Sequence, residues 1–303
     1  MNKVIRIGTR DSELALWQAK TVQSELEKLG HKTELLPVKS TGDLNLEQPL
    51  YEMGITGIFT KTLDVAMLTG KIDIAVHSMK DVPTALPKGI VEAAVLKRAN
   101  PKDILIHKGL DFLNAAGVIA TGSLRRKAQW LNKYPNHNCV DLRGNVNTRM
   151  QKLKNSDWNG AIFAAAGLER INLTPKNSLD LNWMLPAPAQ GAMLVVAMEN
   201  DTEIRDILKA LNHRESEICV HMEREFLKIL EGGCTAPIGA LAKIDGNEIH
   251  FKGALFSLDG KKQVSIERRI ALEDAPNFGK QCALKVINSG GRVLMEGIKE
   301  ALN

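Results

Sequence analysis

A short apolar run, Ile72-Asp73-Ile74-Ala75-Val76-His77, passes directly into Ser78-Met79-Lys80-Asp81-Val82-Pro83. Such a run is what a strand buried in a parallel sheet looks like. Ligands of open α/β sheets bind just beyond the carboxyl ends of such strands. Ser78, Lys80 and Asp81 therefore stand where a hydroxyl, an ammonium and a carboxylate can meet a substrate. Arginine forms a second pattern. Val118-Ile119-Ala120 leads into Gly122-Ser123-Leu124-Arg125-Arg126, Asn138 to Leu142 into Arg143-Gly144-Asn145 and Arg149, and Gly160 to Ala165 into Gly167 and Arg170. Arg10 follows the first apolar run in the same way. Each reads as arginine at a helix start, where unpaired N–H groups and the positive dipole end favour anions. The guanidinium fork matches carboxylate or phosphate. Repetition of the pattern predicts a cleft for a polyanionic ligand. The spacing of His77 and Asp81 also admits a metal ion, but no histidine or cysteine cluster lies nearby to complete it.

The elements that position these residues follow from periodicity. Val4 to Gly8 reads as a strand, then a helix runs to Leu29, capped by Asp11 or Ser12 and stopped by Gly30. Leu14, Ala15, Ala19, Val22, Leu26 and Leu29 form its apolar face. A strand at 32–38, a glycine-punctuated loop at 54–59 and a helix at 60–69 precede the strand from Ile72. This β-α-β-α-β order predicts a parallel sheet with right-handed crossovers. Strands at 89–96 and 103–107 flank Lys97-Arg98-Ala99-Asn100-Pro101, a polar crossing that reads as a hinge. A second α/β unit follows, ending in a loop with Pro186 and Pro188; the apolar run 191–198 then returns to the first sheet through a second hinge. Helices at 201–211 and 216–230 lead to strands at 237–244, 248–258 and 263–272, separated by Asp245-Gly246 and Asp259-Gly260. Asp-Gly between such runs signals hairpins. Helices at 278–287 and 292–302 close the chain. The expected fold is α/β: two lobes, 1–97 with 191–212 and 98–190, joined by a double crossover, and an α+β unit at 213–303 with a three-stranded antiparallel sheet.

A chain of 303 residues exceeds what one core sustains. With 44% hydrophobic and 25% charged residues, it has the composition of a globular protein. Only 4% are aromatic, which argues against stacking platforms for nucleic acid. The net charge of +5 suits an acidic small molecule better than a DNA surface. The first residues lack the apolar core of an export signal, and no run approaches the roughly 18 apolar residues of a membrane span. Both point to a cytoplasmic protein. The four cysteines form no CxxC pair, so reduced thiols are expected and zinc is not. Cys234, after Gly232-Gly233, reads on its own as a structural thiol like Cys139, Cys219 and Cys282.

Taken together, Ile7-Gly8-Thr9-Arg10-Asp11-Ser12, Asp73 through Pro83, Gly122 through Arg126, Leu142 through Asn145 with Thr148-Arg149, Ala166-Gly167-Leu168, Gln190-Gly191-Ala192 and Leu230-Glu231-Gly232-Gly233-Cys234 resemble the porphobilinogen deaminase (hydroxymethylbilane synthase) family. The match is collinear over essentially the whole chain. It implies two lobes like those of periplasmic binding proteins and a monomeric enzyme of tetrapyrrole biosynthesis. Such an enzyme joins four porphobilinogen molecules head to tail, releasing ammonia, on a dipyrromethane cofactor made from its own substrate. The resemblance assigns Cys234 as the thioether attachment and Asp81 as the catalytic carboxylate, which steadies cationic pyrroles and shuttles protons. Each pyrrole carries an acetate and a propionate, which the resemblance assigns to Arg10, Arg125, Arg126, Arg143, Arg149 and Arg170, with Ser12, Ser78, Lys80 and Ser123 nearby. Phe59 matches a loop aromatic. The chain departs from the pattern at Thr56, where many relatives carry lysine, and at Glu52, where some carry a basic residue; Lys61 is a candidate to compensate. The competing reading is a non-catalytic two-lobed anion-binding protein. A nucleic-acid module is a weaker rival.

Overall fold

Two five-stranded sheets carry the cleft, and a third, smaller sheet stands beside them. The computed structural model describes residues 3–38, 60–230 and 236–302. The first sheet begins with β1 (Ile5–Arg10), α1 (Glu13–Lys28), β2 (Thr33–Val38), α2 (Lys61–Leu68), β3 (Ile74–Ser78) and β4 (Ile90–Val95). Ser12 is the cap of α1, accepting from the Ala15 amide at 3.4 Å. Ala15, Ala19, Val22 and Leu26 bury the expected face of α1, whereas Leu29 is exposed because it ends the helix. Between β3 and β4, Met79–Asp81 forms one 3₁₀ turn. Met79 is fully buried there, and Asp81 is exposed.

The chain then enters the second lobe with β5 (Asp103–His107), β6 (Val118–Ala120), α3 (Leu124–Lys133), β7 (Asn138–Val140), α4 (Val146–Lys154), β8 (Gly160–Ala164), α5 (Ala165–Arg170) and β9 (Ser178–Asp180). The short strand β9 carries no apolar signature and was not expected from the sequence. β10 (Met193–Met198) returns to the first sheet, followed by α6 (Thr202–Leu208). The sheet orders are β2-β1-β3-β10-β4 and β7-β6-β8-β5-β9.

The expectation of a parallel sheet holds for β1 with β2 and β3, and for β6 with β7 and β8. The returning strands run the other way. β10 runs antiparallel to β3 and β4, and β5 antiparallel to β8 and β9. The reason is the crossover. β10 starts at the cleft, with Met193 opposite Ser78, where β3 ends. The two connecting segments run side by side, with the Leu96 and Ala99 amides donating to the Met193 and Gly191 carbonyls, both at 3.1 Å.

The third unit contains α7 (Arg214–Leu230), β11 (Ile238–Asp245), β12 (Glu248–Phe256), β13 (Gln263–Ala271), α8 (Phe278–Val286) and α9 (Arg292–Leu302). Its sheet, β11-β12-β13, is antiparallel throughout. One face packs on α7 and α8 around Phe226, Phe251, Cys282 and Val286. The alternation of buried and outward residues on β11 and β12 fixes which face does so.

Candidate active site between the two lobes

The carboxyl ends of the parallel strands face one another across a cleft. From the first lobe come Arg10 at the end of β1, Ser12 at the start of α1, and Ser78, Lys80 and Asp81 at and beyond the end of β3. Opposite them lie Arg126 on α3, Arg143 and Gly144 before α4, Arg149 on α4, and Arg170 on α5. Gly191 and Ala192 line the hinge side. Asn145 caps α4 through the Thr148 amide at 2.9 Å and opens its amino end onto the cleft.

Several predicted residues have other settings. Arg125 is not among the described residues that line the cleft. It is buried, with Nη1 donating to Asp103 Oδ2 at 2.7 Å. Arg126 shares the same carboxylate, its Nε donating to Oδ1 at 2.9 Å. The fully buried Asp103 holds both adjacent arginines. Ser123 caps α3 through the Arg126 amide at 3.4 Å and also does not line the cleft. Arg170 closes the six-residue α5 rather than opening a helix, so no helix dipole assists it. It donates to the Gly191 carbonyl at 2.8 Å and lies over the Trp17 ring at 5.5 Å. Ser78 and Gln18 are hydrogen-bonded, with Gln18 Nε2 donating to Ser78 Oγ at 2.9 Å. Lys61 is exposed at the start of α2 and is not among the residues lining the cleft. Cys234, Phe59, Thr56 and Glu52 lie outside the described residues.

The electrostatics of the cleft are lopsided. Arg10, Lys80, Arg126, Arg143, Arg149 and Arg170 face only Asp81 and Glu13 among the described lining residues. Burial pulls Lys80 down to about 8; Arg126 and Arg125 add to this, while Asp81 and Asp103 oppose it. Arg149 falls to about 10, first through burial and then through Arg126, Arg143 and Arg10, against Asp81. Burial likewise takes Arg170 to about 10. Beneath the cleft His77 is pulled down to about 4 by burial and by Arg10, so it is neutral at pH 7. Asp103 is held far below the carboxylate range by Arg125 and Arg126, which outweigh its burial.

Asp103, Gln190 and Asn147 were not foreseen. Gln190 Nε2 donates to Asp103 Oδ1 at 3.0 Å and to the Pro101 carbonyl at 2.8 Å, tying hinge to cleft floor. Asn147 donates to Glu13 at 2.6 Å across the cleft mouth. A charged residue opening an otherwise apolar strand was the available signal for Asp103. Burial turns the thiols of Cys139, Cys219 and Cys282 up to about 11, which leaves them inert.

A cleft between two α/β lobes, rich in cations and holding one exposed carboxylate beside a lysine, defines a protein that handles a small polyanion. The chain belongs to the porphobilinogen deaminase family. Residues 5–206 match the porphobilinogen deaminase dipyrromethane cofactor binding domain, and residues 217–288 match the porphobilinogen deaminase C-terminal domain. The porphobilinogen deaminase of Syntrophomonas wolfei is 41% identical over 298 residues, covering 96% of this chain and 97% of its own. That of Chloroherpeton thalassium is 40% identical over 294 residues, covering 93% and 94%. Among solved structures, a probable amino-acid ABC transporter extracellular-binding protein from Bacillus subtilis aligns with a TM-score of 0.44 at 14% identity, covering 70% of this chain and 90% of that one. The family is one of enzymes, and the non-catalytic anion-binding reading is not favoured. No helix among the described residues is long and apolar enough to cross a membrane.

Proposed function

We propose that this chain is a cytoplasmic, monomeric hydroxymethylbilane synthase whose Asp81 is the catalytic carboxylate and whose Cys234 carries the dipyrromethane cofactor. The observation that carries this reading is the interlobe cleft, where six cations line the walls around Asp81, with Glu13 the other acidic residue among the described lining residues. The donor set fits the cofactor. Buried cations whose neighbours are mostly cations call for a ligand with several carboxylates. When bound, the cofactor supplies the pyrrole nucleophile onto which the chain is built.

Arg10, Arg126, Arg143, Arg149 and Arg170, with Lys80, hold the acetate and propionate groups. Ser12, Ser78 and the amino end of α4 add hydrogen bonds at the rim and floor. Arg125 and Ser123 act indirectly, by fixing Arg126. Asp81 steadies positive charge on a pyrrole nitrogen and moves the proton to the departing amine. Phe59 is proposed as an aromatic contact to a pyrrole. The division into 1–97 with 191–212, 98–190 and 213–303 is supported by the two chain crossings between sheets.

Intact mass tests the tether, and turnover tests the carboxylate. Purified protein should carry the added mass of two linked pyrroles, absent from Cys234→Ser. Asp81→Asn should fold, keep the added mass and consume porphobilinogen roughly 10²–10³ times more slowly. Protein with no added mass and no porphobilinogen consumption would overturn the reading, and a normal rate for Asp81→Asn would overturn the role of that residue.

A further inference from the structure

Arg224 lies in the third unit, yet its guanidinium serves the first lobe. It is buried on α7, with 8% of its surface exposed. Nη1 donates to the Val82 carbonyl at 3.0 Å and to the Met79 carbonyl at 3.3 Å, and Nη2 donates to the Pro83 carbonyl at 2.7 Å. These carbonyls bracket Asp81. The 3₁₀ turn that presents Asp81 is also tied by the Met79 amide to the Ala192 carbonyl at 3.0 Å. Three residues of backbone have little intrinsic rigidity, since a single turn fixes many dihedrals for one hydrogen bond. External anchors must therefore set the direction in which Asp81 points. Ion pairing holds the anchor itself. Glu92 Oε1 is 3.7 Å from Arg224 Nη2, and His221 bonds the other Glu92 oxygen at 2.7 Å. The same helix ends at Leu230, shortly before Cys234.

We infer that Arg224 is a positioning residue, which clamps the turn around Asp81 and fixes that turn to the helix leading to the cofactor attachment. The inference rests on Asp81 being the catalytic carboxylate. It assigns to the third unit a part in aiming the catalytic group, beyond carrying the tether. A lysine at 224 keeps the charge but loses the fork that spans several carbonyls.

A double-mutant cycle on the intact, cofactor-loaded enzyme tests this with porphobilinogen as substrate. Arg224→Lys should lower kcat by about 10- to 100-fold, the scale of a misplaced reacting group. KM should change much less than kcat, because Arg10, Arg126, Arg143, Arg149 and Arg170 are untouched and only Lys80 shares the loosened turn. In kcat, the double variant with Asp81→Asn should be no slower than Asp81→Asn alone, within about twofold, because the clamp's effect on the chemical step runs through Asp81. The amides of residues 79–82 and of Thr84 should exchange faster in Arg224→Lys. Unchanged kcat, or additive losses, would overturn the clamp while leaving Asp81→Asn slow. A fast Asp81→Asn enzyme would overturn both assignments together. Should Arg224→Lys fail to fold, Glu92→Gln takes its place, with a drop in kcat of about two- to fivefold expected; an unchanged kcat there also overturns the clamp.

Discussion

Lys80 and Asp81 are neighbours in sequence, but their settings differ. Asp81 is exposed, whereas the Lys80 ammonium lies against the cleft floor, 3.5 Å from Gln190 Oε1. Burial brings Lys80 down to about 8, with Arg126 and Arg125 contributing. The charged form therefore prevails below pH 8 and is lost above it. If Lys80 holds a substrate carboxylate, kcat/KM should fall on the alkaline side as pH passes about 8. Arginine stays protonated there, so Lys80→Arg should move that limb to higher pH. A limb that does not move would assign the ionisation to another group, such as the substrate amine. That Lys80, Asp81 and most of the arginines line one cleft was legible because strand ends and short polar runs are local signals. The settings of Arg125 and Ser123 were not. Arg125 is captured by Asp103, 22 residues away, and Ser123 is spent on the cap of the helix that carries Arg125 and Arg126.

Among the elements, the two Asp-Gly turns show how far local turn chemistry reaches. Both mark hairpins, and both glycines adopt positive φ, +60° at Gly246 and +74° at Gly260. Gly246 projects into open space. Gly260 does not. The loop from 257 to 262 reaches the second lobe, where Asn132 Nδ2 donates to the Gly260 carbonyl at 2.7 Å. A Cβ on Gly260 would lie 2.3 Å from the Ala128 carbonyl oxygen of α3. Gly246→Ala should therefore cost only the backbone term, about 1 kcal/mol. Gly260→Ala should cost clearly more and should loosen the third unit from α3, the helix that carries Arg126. Equal denaturation midpoints for the two variants would sink this contrast. The hairpins themselves were readable from sequence. The docking was not, because nothing local distinguishes a turn in solvent from one pressed on another unit. Strand direction at β5 and β10 was hidden for a related reason: it follows from where the chain crosses between lobes, not from residue pattern.

At the scale of the molecule, one carboxylate ties both crossover segments to the third unit. Glu223 is fully buried on α7. It accepts from Arg98 Nη1 at 2.6 Å and Nη2 at 3.0 Å on the outgoing crossover, and from the Ala189 amide at 2.7 Å on the returning one. The Ala242 amide of β11 adds a fourth bond at 2.7 Å. Ala189 has φ of +61°, a left-handed conformation that an L-residue keeps only when its surroundings impose it. Composition and the polar crossing revealed the hinge, and the Asp-Gly hairpins revealed the third unit. Their junction was invisible, since Arg98 and Glu223 are 125 residues apart and each reads alone as a surface charge. Removing one partner of a buried pair leaves the other charge uncompensated, at a cost of about 3–5 kcal/mol. Glu223→Gln should lose stability on that scale, because Arg98 remains buried and one carboxylate oxygen becomes a donor facing backbone amides. The loss should concentrate at the junction. Calorimetry should show the third unit melting separately and earlier than the lobes, where the parent chain melts with stronger coupling between units. A Glu223→Gln chain that keeps the parent's melting temperature and a single transition would mean that the units are held by their apolar contacts alone, with the carboxylate contributing nothing to their union.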